Sequence, residues 1–207
     1  MKRKSLVLLP AVSLLSLSAS LLAQAPAKKQ AARPKAAPAP AVAPGTEAVV
    51  ETAKGSFTIR LLPEVAPKHA ALFVRTAKAG GYDGTTFHRV IMGGIIQGGD
   101  PLTVDPGKAS QYGTGGLGLL KAELSDRPFV RGSVAAVRRP SSMDSAGTQF
   151  FVCLAPQPAL AGQYTIFGEV TSGMEVVDQI STTPVDGDKA KERVEMKVRV
   201  RAPAAQP

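Results

Sequence analysis

The chain has 207 residues, of which 44% are hydrophobic and 20% charged, as expected for one globular domain with extensions and not for a wholly disordered protein. One cysteine and two histidines exclude a disulfide framework, a multi-thiolate metal site and a three-histidine zinc centre. The formal charge of +9 suggests nucleic-acid binding, but seven of the 25 basic residues precede residue 46 and all 16 acidic residues follow it. The body is therefore nearly neutral and lacks the basic surface that a nucleic-acid partner requires.

The first 25 residues have the pattern of a secretory signal peptide. Basic residues 2–4 precede a leucine-rich apolar run over residues 6–23, and small residues stand at Ala23 and Ala25. We expect cleavage after Ala25, or two residues later because Pro26 is an unfavourable residue to follow the cut. The expected product is a secreted protein, with the periplasm as its compartment. The run is also long enough to remain as an uncleaved membrane anchor. Membrane contact is expected only in that second case.

Residues 26–46 have the composition of a linker. They are mostly Ala, Pro, Lys and Arg, with five prolines. Such a segment buries too little apolar surface to offset its ordering entropy, so we predict a disordered, semi-extended linker. The predicted folded domain spans residues 47–201, and residues 202–207 form a flexible tail.

The body alternates short strands with two helices. Residues 48–53 and 56–62 predict a hairpin, residues 63–79 a helix that ends at Gly80-Gly81, and residues 173–180 a second helix. Further strands are predicted over residues 86–92, 95–97, 133–137, 149–154, 164–170 and 194–201. The predicted fold class is mainly β: a closed eight-stranded antiparallel barrel capped by two helices.

Two motifs carry the most specific signal. They are FHR…QGGD over residues 87–100 and AG-x-QFF over residues 146–151. With them the sequence resembles the cyclophilin family of peptidyl-prolyl cis-trans isomerases. Three further features support this resemblance: a glycine-rich loop over residues 113–116, Glu123, and the FG-x-V strand over residues 167–170. The resemblance covers residues 47–201.

The activity implied by the resemblance requires no bond to be broken. The Xaa-Pro peptide bond is held planar by amide resonance, with a rotation barrier of about 18–20 kcal/mol. When the bond twists, the prolyl nitrogen lone pair localises and becomes a hydrogen-bond acceptor. A guanidinium beside that nitrogen would therefore bind most tightly at the transition state. We expect no metal and no cofactor.

The resemblance assigns a role to each candidate residue. It places the catalytic arginine at Arg89, with Gln97 positioning it and contacting the substrate backbone, and a second substrate-binding glutamine at Gln149. The proline pocket is expected to have Phe151 as its floor, Ile95 and Leu160 as walls, and Tyr164 and Arg138 at its rim.

Two departures from the family pattern affect the expected pocket. Gly94 stands where the family has an aromatic residue, and Ala159 stands where it has a bulky aromatic, often tryptophan. Both changes predict a shallower pocket and reduced activity, and Ala159 also predicts weak binding of the cyclic peptide cyclosporin. Tyr164 replaces the histidine of many eukaryotic members.

The leading hypothesis is a monomeric isomerase acting on proline-containing unfolded or loop segments of exported proteins. A non-catalytic proline-peptide-binding or chaperone module on the same barrel is the main alternative. A membrane-tethered scaffold is a third. The G-x-G-x-x-G match over residues 113–118 is read as a loop, because no long helix follows it. Cys153 is read as a buried thiol inside an apolar run.

Overall fold

The computed structural model describes residues 41–202 of the chain. The predicted signal peptide, most of the predicted linker and most of the predicted tail therefore lie outside the described residues. The strands are Glu47–Thr52 (β1), Gly55–Leu61 (β2), Thr85–Ile91 (β3), Ile95–Gly98 (β4), Ser133–Ala136 (β5), Phe150–Cys153 (β6), Ile166–Ser172 (β7), Val185–Asp186 (β8), Lys189–Ala190 (β9) and Glu195–Arg201 (β10). The helices are Pro67–Lys78 (α1) and Met174–Ser181 (α2), with short 3-10 turns at Pro101–Val104, Pro106–Gln111 and Pro158–Leu160.

Eight of these strands close into an antiparallel barrel. Their order is β10-β1-β2-β7-β5-β6-β4-β3, and β3 pairs back onto β10 between Thr85 and Met196. This arrangement confirms the predicted fold class. The two-residue strands β8 and β9 form an extra hairpin, which joins β3 at Arg89 beyond the point where β10 leaves it.

Aromatic side chains fill the interior of the barrel. The ring of Phe73, on α1, lies 5.0–5.6 Å from the rings of Tyr82, Phe150 and Phe167. Contacts of this kind add to the free energy gained from burying apolar area. They fix α1 over one end of the barrel.

Helix α1 begins at Pro67, four residues later than predicted, because the preceding residues form a turn in which Ala66 donates its N–H to the carbonyl of Leu62. The Glu123 carboxylate accepts hydrogen bonds from the backbone N–H groups of Lys68 and His69 and lies 2.6 Å from Nδ1 of His69. A carboxylate at this position satisfies the free N–H groups of the first turn and complements the helix dipole.

The folded part of the chain begins before the predicted boundary at residue 47. Val42 packs against the interior cluster, and Thr46 is buried with its hydroxyl donating to the carbonyl of Ala43 at 2.7 Å. Leu61 also donates its N–H to the carbonyl of Thr46 at 2.9 Å. Residues 42–46 have the composition of a linker, but β2 and the interior cluster bind them. Over residues 41–202, no helix is long and apolar enough to cross a membrane.

Candidate active site

One row of paired residues crosses four neighbouring strands on the outer face of the barrel. Arg89 on β3 pairs with Gln97 on β4, Gln97 pairs with Phe151 on β6, and Phe151 pairs with Ala135 on β5. Directly paired residues project to the same face of a sheet. The barrel therefore brings together three residues that are up to 62 positions apart in the sequence.

A β-bulge decides that Arg89 belongs to this row. Phe87 pairs with Gly98 and Arg89 pairs with Gln97. Two steps along β3 therefore correspond to a single step along β4. The extra residue is His88. Phe87 points into the interior, and strict alternation would point Arg89 there as well. The bulge turns the Arg89 side chain outward instead.

A chain of hydrogen bonds between side chains holds the guanidinium from one side. Arg89 donates from Nη1 to Oε1 of Gln97 at 3.2 Å, and Gln97 donates from Nε2 to Oε1 of Gln149 at 3.0 Å. Gln149 donates in turn to the carbonyl of Gly115 at 2.7 Å. Gln97 is thus placed beside the guanidinium, in contact with Nη1.

Gln149 lies behind the pocket and not in its wall. Its side chain is only 1% exposed, and both ends of its amide are engaged, one by Gln97 and one by Gly115. The direct contact between Gln149 and substrate therefore stays a prediction. Gln149 supports Gln97, which does line the pocket.

The glycine-rich loop is fixed by a buried carboxylate. Asp100 accepts hydrogen bonds from the backbone N–H groups of Gly113 at 2.6 Å and Gly115 at 3.2 Å. A Cβ atom on Gly115 would lie only 2.2 Å from a carboxylate oxygen of Asp100, so the approach requires glycine. The G-x-G-x-x-G match is thus a loop beside the pocket, as predicted, and Asp100 is a structural residue.

Asp188 holds the guanidinium from the other side, and sequence reasoning did not identify this residue. Its carboxylate accepts a hydrogen bond from Nε of Arg89 at 2.6 Å. The neighbouring guanidinium keeps the pKa of Asp188 below its ordinary value. Asp188 lies in the connection between β8 and β9, 99 positions from Arg89, and no motif surrounds it.

An apolar cavity of about 580 Å³ opens beside Arg89. Phe151 lies in its floor, and the ring of Tyr164 meets it edge-on at 5.5 Å. Ile95 and Leu160 line its walls.

Arg138 closes the rim of this cavity. Its guanidinium carbon lies 4.7 Å from the centre of the Tyr164 ring, and its Nε donates to the carbonyl of Gln163 at 2.9 Å. Such a cation–π contact fixes the tyrosine as well as the arginine. The structure therefore places Arg138 and Tyr164 together at the rim of the cavity.

A second depression is larger, at about 760 Å³, and is lined by Pro128, Phe129 and Pro156. Its arginine, Arg127, donates to the Glu169 carboxylate at 3.0 Å, as Arg89 donates to Asp188 at 2.6 Å. The smaller cavity differs because Gln97, which lines it, also accepts a hydrogen bond from its arginine beside the apolar floor of Phe151. Chemistry, and not volume, identifies the candidate site.

Comparison with known proteins agrees with this geometry. The family model described as cyclophilin type peptidyl-prolyl cis-trans isomerase/CLD matches residues 48–201. The chain belongs to the cyclophilin family. It is a peptidyl-prolyl cis-trans isomerase.

Relatives of this cyclophilin occur in bacteria and fungi. A probable peptidyl-prolyl cis-trans isomerase of Brucella suis biovar 1 is 41% identical over 142 residues, covering 66% of this chain and 72% of the relative. A peptidyl-prolyl cis-trans isomerase-like 1 protein of Neurospora crassa is 39% identical over 143 residues, covering 68% of this chain and 84% of the relative.

Solved structures show the same fold. The crystal structure of a cyclophilin type isomerase from Cryptosporidium parvum matches with a TM-score of 0.68 at 26% identity, covering 76% of this chain and 98% of that chain. The same protein has also been solved in the presence of the dipeptide Ala-Pro, and that structure matches with a TM-score of 0.67 at 26% identity, covering 75% of this chain and 99% of that chain.

The two positions at which the family pattern led us to expect aromatic side chains, Gly94 and Ala159, have different surroundings. A Cβ atom on Gly94 would lie 3.0 Å from Cγ2 of Ile91, and Ile91 lines the cavity. Ile91 therefore covers part of the space that a side chain at position 94 would fill. Ala159 is exposed and lies outside the cavity lining, so nothing replaces the second aromatic.

Proposed function

We propose that Arg89 catalyses rotation about Xaa-Pro bonds whose proline ring occupies the cavity above Phe151. The observation that carries this proposal is the position of the guanidinium. Gln97 and Asp188 hold two of its nitrogens, and the group lines an apolar cavity large enough for the proline ring. Hydrogen-bond donors therefore face the place where the prolyl nitrogen would lie.

The physical reason for catalysis is a difference between two states of the peptide bond. In the planar ground state the nitrogen lone pair is delocalised and accepts hydrogen bonds poorly. In the twisted state the lone pair is localised, so a charged donor stabilises that state selectively. The apolar walls formed by Phe151, Leu160 and Ile95 keep water from solvating the planar amide, which strengthens the same interaction.

The clients of the enzyme are proline-containing unfolded or loop segments of exported proteins. The cavity lies on the outer surface of the barrel, where an extended segment can enter without unfolding the enzyme. The Ala-Pro dipeptide used with the Cryptosporidium parvum relative supports a proline-containing ligand. The signal-peptide pattern of residues 1–25 supports a periplasmic enzyme.

Exchange spectroscopy by NMR tests the catalytic role of Arg89. We expect the protein to accelerate cis/trans exchange of a short Ala-Pro peptide, and Arg89→Ala to lower that rate by about 10²- to 10³-fold, as for loss of one oxyanion-type donor. Arg199→Ala is a matched control, because Arg199 is similarly exposed and also paired with a carboxylate, that of Asp83. Peptide shifts without exchange would identify a binding module instead of an enzyme.

The mass of the N-terminus in fractionated cells tests the compartment. A periplasmic protein that begins at Pro26 or Lys28 agrees with export and cleavage. A membrane-bound protein that begins at Met1 indicates the anchored form. A cytoplasmic protein that begins at Met1 contradicts export.

A further inference from the structure

We propose that Asp188 is a positioning residue that fixes the direction in which Arg89 presents its hydrogen-bond donors to the proline cavity. The inference rests on the proposed catalytic role of Arg89. It assigns a function to the β8–β9 hairpin, which is not needed to close the barrel.

The two partners of Arg89 hold different nitrogens of one planar group. A guanidinium has five N–H donors in a fixed plane. Asp188 occupies the single Nε–H, and Gln97 accepts from Nη1. Two anchors on two nitrogens fix both the tilt and the rotation of the plane. The donors on Nη2 and the remaining donor on Nη1 are left for the substrate.

The carboxylate is itself held in place. The carbonyl of Asp188 accepts the N–H of Val90 at 2.8 Å, and the next residue, Lys189, pairs with Arg89 in the sheet. On either side, Val185 and Ala190 pack against the interior cluster of the barrel. The backbone of β3 therefore holds the same hairpin that holds the Arg89 side chain.

The ion pair is suited to orienting a group and not to stabilising the fold. The Arg89 and Asp188 side chains are 39% and 45% exposed. Ion pairs this exposed add little to the free energy of unfolding. A small displacement of a catalytic donor, however, can cost a large part of the rate.

A nearby carboxylate also weakens the guanidinium as a donor, because it neutralises part of the positive charge. The two effects have opposite signs, so they can be separated. If Asp188 acts by position, its removal lowers turnover. If neutralisation dominates, its removal raises turnover.

The test compares Asp188→Ala and Asp188→Asn with Asp178→Ala. Asp178 is a matched control, because it also accepts a 2.6 Å hydrogen bond from an exposed arginine, Arg131, and is 48% exposed. We expect Asp188→Ala to lower kcat for an Ala-Pro peptide about two- to fivefold, the value of an exposed ion pair, with KM unchanged. Asp188→Asn, which keeps an acceptor oxygen, should recover part of the loss.

A spectroscopic measurement separates positioning from a general effect on the fold. The ¹⁵N–¹H signal of Arg89 Nε should be resolved in the parent protein and in Asp178→Ala, because the hydrogen bond protects that proton. In Asp188→Ala it should broaden or disappear.

Three outcomes overturn the inference: an unchanged Nε signal with unchanged kcat, an increase in kcat, or equal losses in Asp188→Ala and Asp178→Ala. Arg89→Ala and the double variant Arg89→Ala/Asp188→Ala are measured in the same series. If Arg89→Ala retains full activity, the proposed function fails. If Arg89→Ala is inactive and Asp188→Ala is not impaired, only the positioning role fails. We expect the double variant to be no slower than Arg89→Ala alone.

Discussion

Phe150 and Phe151 are neighbours on β6 but belong to opposite faces of the barrel wall. Phe150 points into the interior, where it meets the rings of Phe73, Tyr82 and Phe87 at 5.6–6.1 Å. Phe151 points outward, in the floor of the proline cavity. Both are nearly inaccessible to solvent, so burial alone does not distinguish a core residue from a site residue. The face of the strand does.

Replacing each phenylalanine by alanine should give the largest effects. Phe150→Ala leaves a cavity inside a closed aromatic cluster, and we expect it to lower the free energy of unfolding by about 3–5 kcal/mol. Phe151 borders a cavity that is already open to solvent. For Phe151→Ala we therefore expect a smaller loss in the free energy of unfolding, about 1–3 kcal/mol. Urea unfolding measures both losses.

For catalysis we expect the opposite order, with the larger loss of activity in Phe151→Ala. At a temperature where both are folded, Phe151→Ala should lose most of its acceleration of Ala-Pro exchange, and Phe150→Ala should keep most of it. A Phe151→Ala variant with parental activity would show that the outer face is not the site.

We expect the free energy of unfolding to decrease as the pH is lowered, at pH values where the carboxylates are still ionised. Burial lowers the pKa of both His69 and His88 below the ordinary value of 6.5. The unfolded chain therefore binds more protons than the folded chain below that pH. The stability that depends on the neutral imidazoles is present above pH 6.5 and is lost as the pH falls.

Urea unfolding at pH 8 and pH 5 measures this loss, and we expect a lower midpoint at pH 5. Each shift arises from burial, so His88→Gln, which removes one titrating group at the bulge, should show a smaller drop. An equal or higher midpoint at pH 5 in the parent protein would contradict the expectation.

A substitution that adds contact on the outer face should have the smallest effect. The backbone of Gly94 does not have the positive φ that favours glycine, and the nearest side chain, Ile91, is 40% exposed and can move. We expect Gly94→Phe to tighten binding of an Ala-Pro peptide about two- to tenfold, the value of an added aromatic contact. Peptide titration by NMR gives the affinity.

The matched control for this substitution is Gly93→Ala. A Cβ atom added at Gly93 would have no other atom within 4 Å, but the φ of Gly93 is 68°. Gly93→Ala therefore adds backbone strain without adding contact. Weaker binding in Gly94→Phe than in the parent would show that Ile91 already completes the wall.

Local patterns were sufficient to predict most of the fold. Alternation of apolar residues located all eight barrel strands to within about two residues, and the motifs located Arg89, Gln97 and Phe151 in one cavity. The β8–β9 hairpin was not predicted, because two-residue strands are too short to show a period. The position of Gln149 behind Gln97 was not predicted, because sequence does not show which polar side chain lies behind another.

Residue order and periodicity along single strands were enough to indicate the family, the fold class and the type of chemistry. The direction of the Arg89 side chain and the acid that holds it became known from the folded chain alone. The bulge at His88 depends on the register between β3 and β4, and the contact with Asp188 depends on a hairpin 99 positions away. Register and closure are properties of paired strands, and the residue pattern of a single strand does not specify which strand pairs with it.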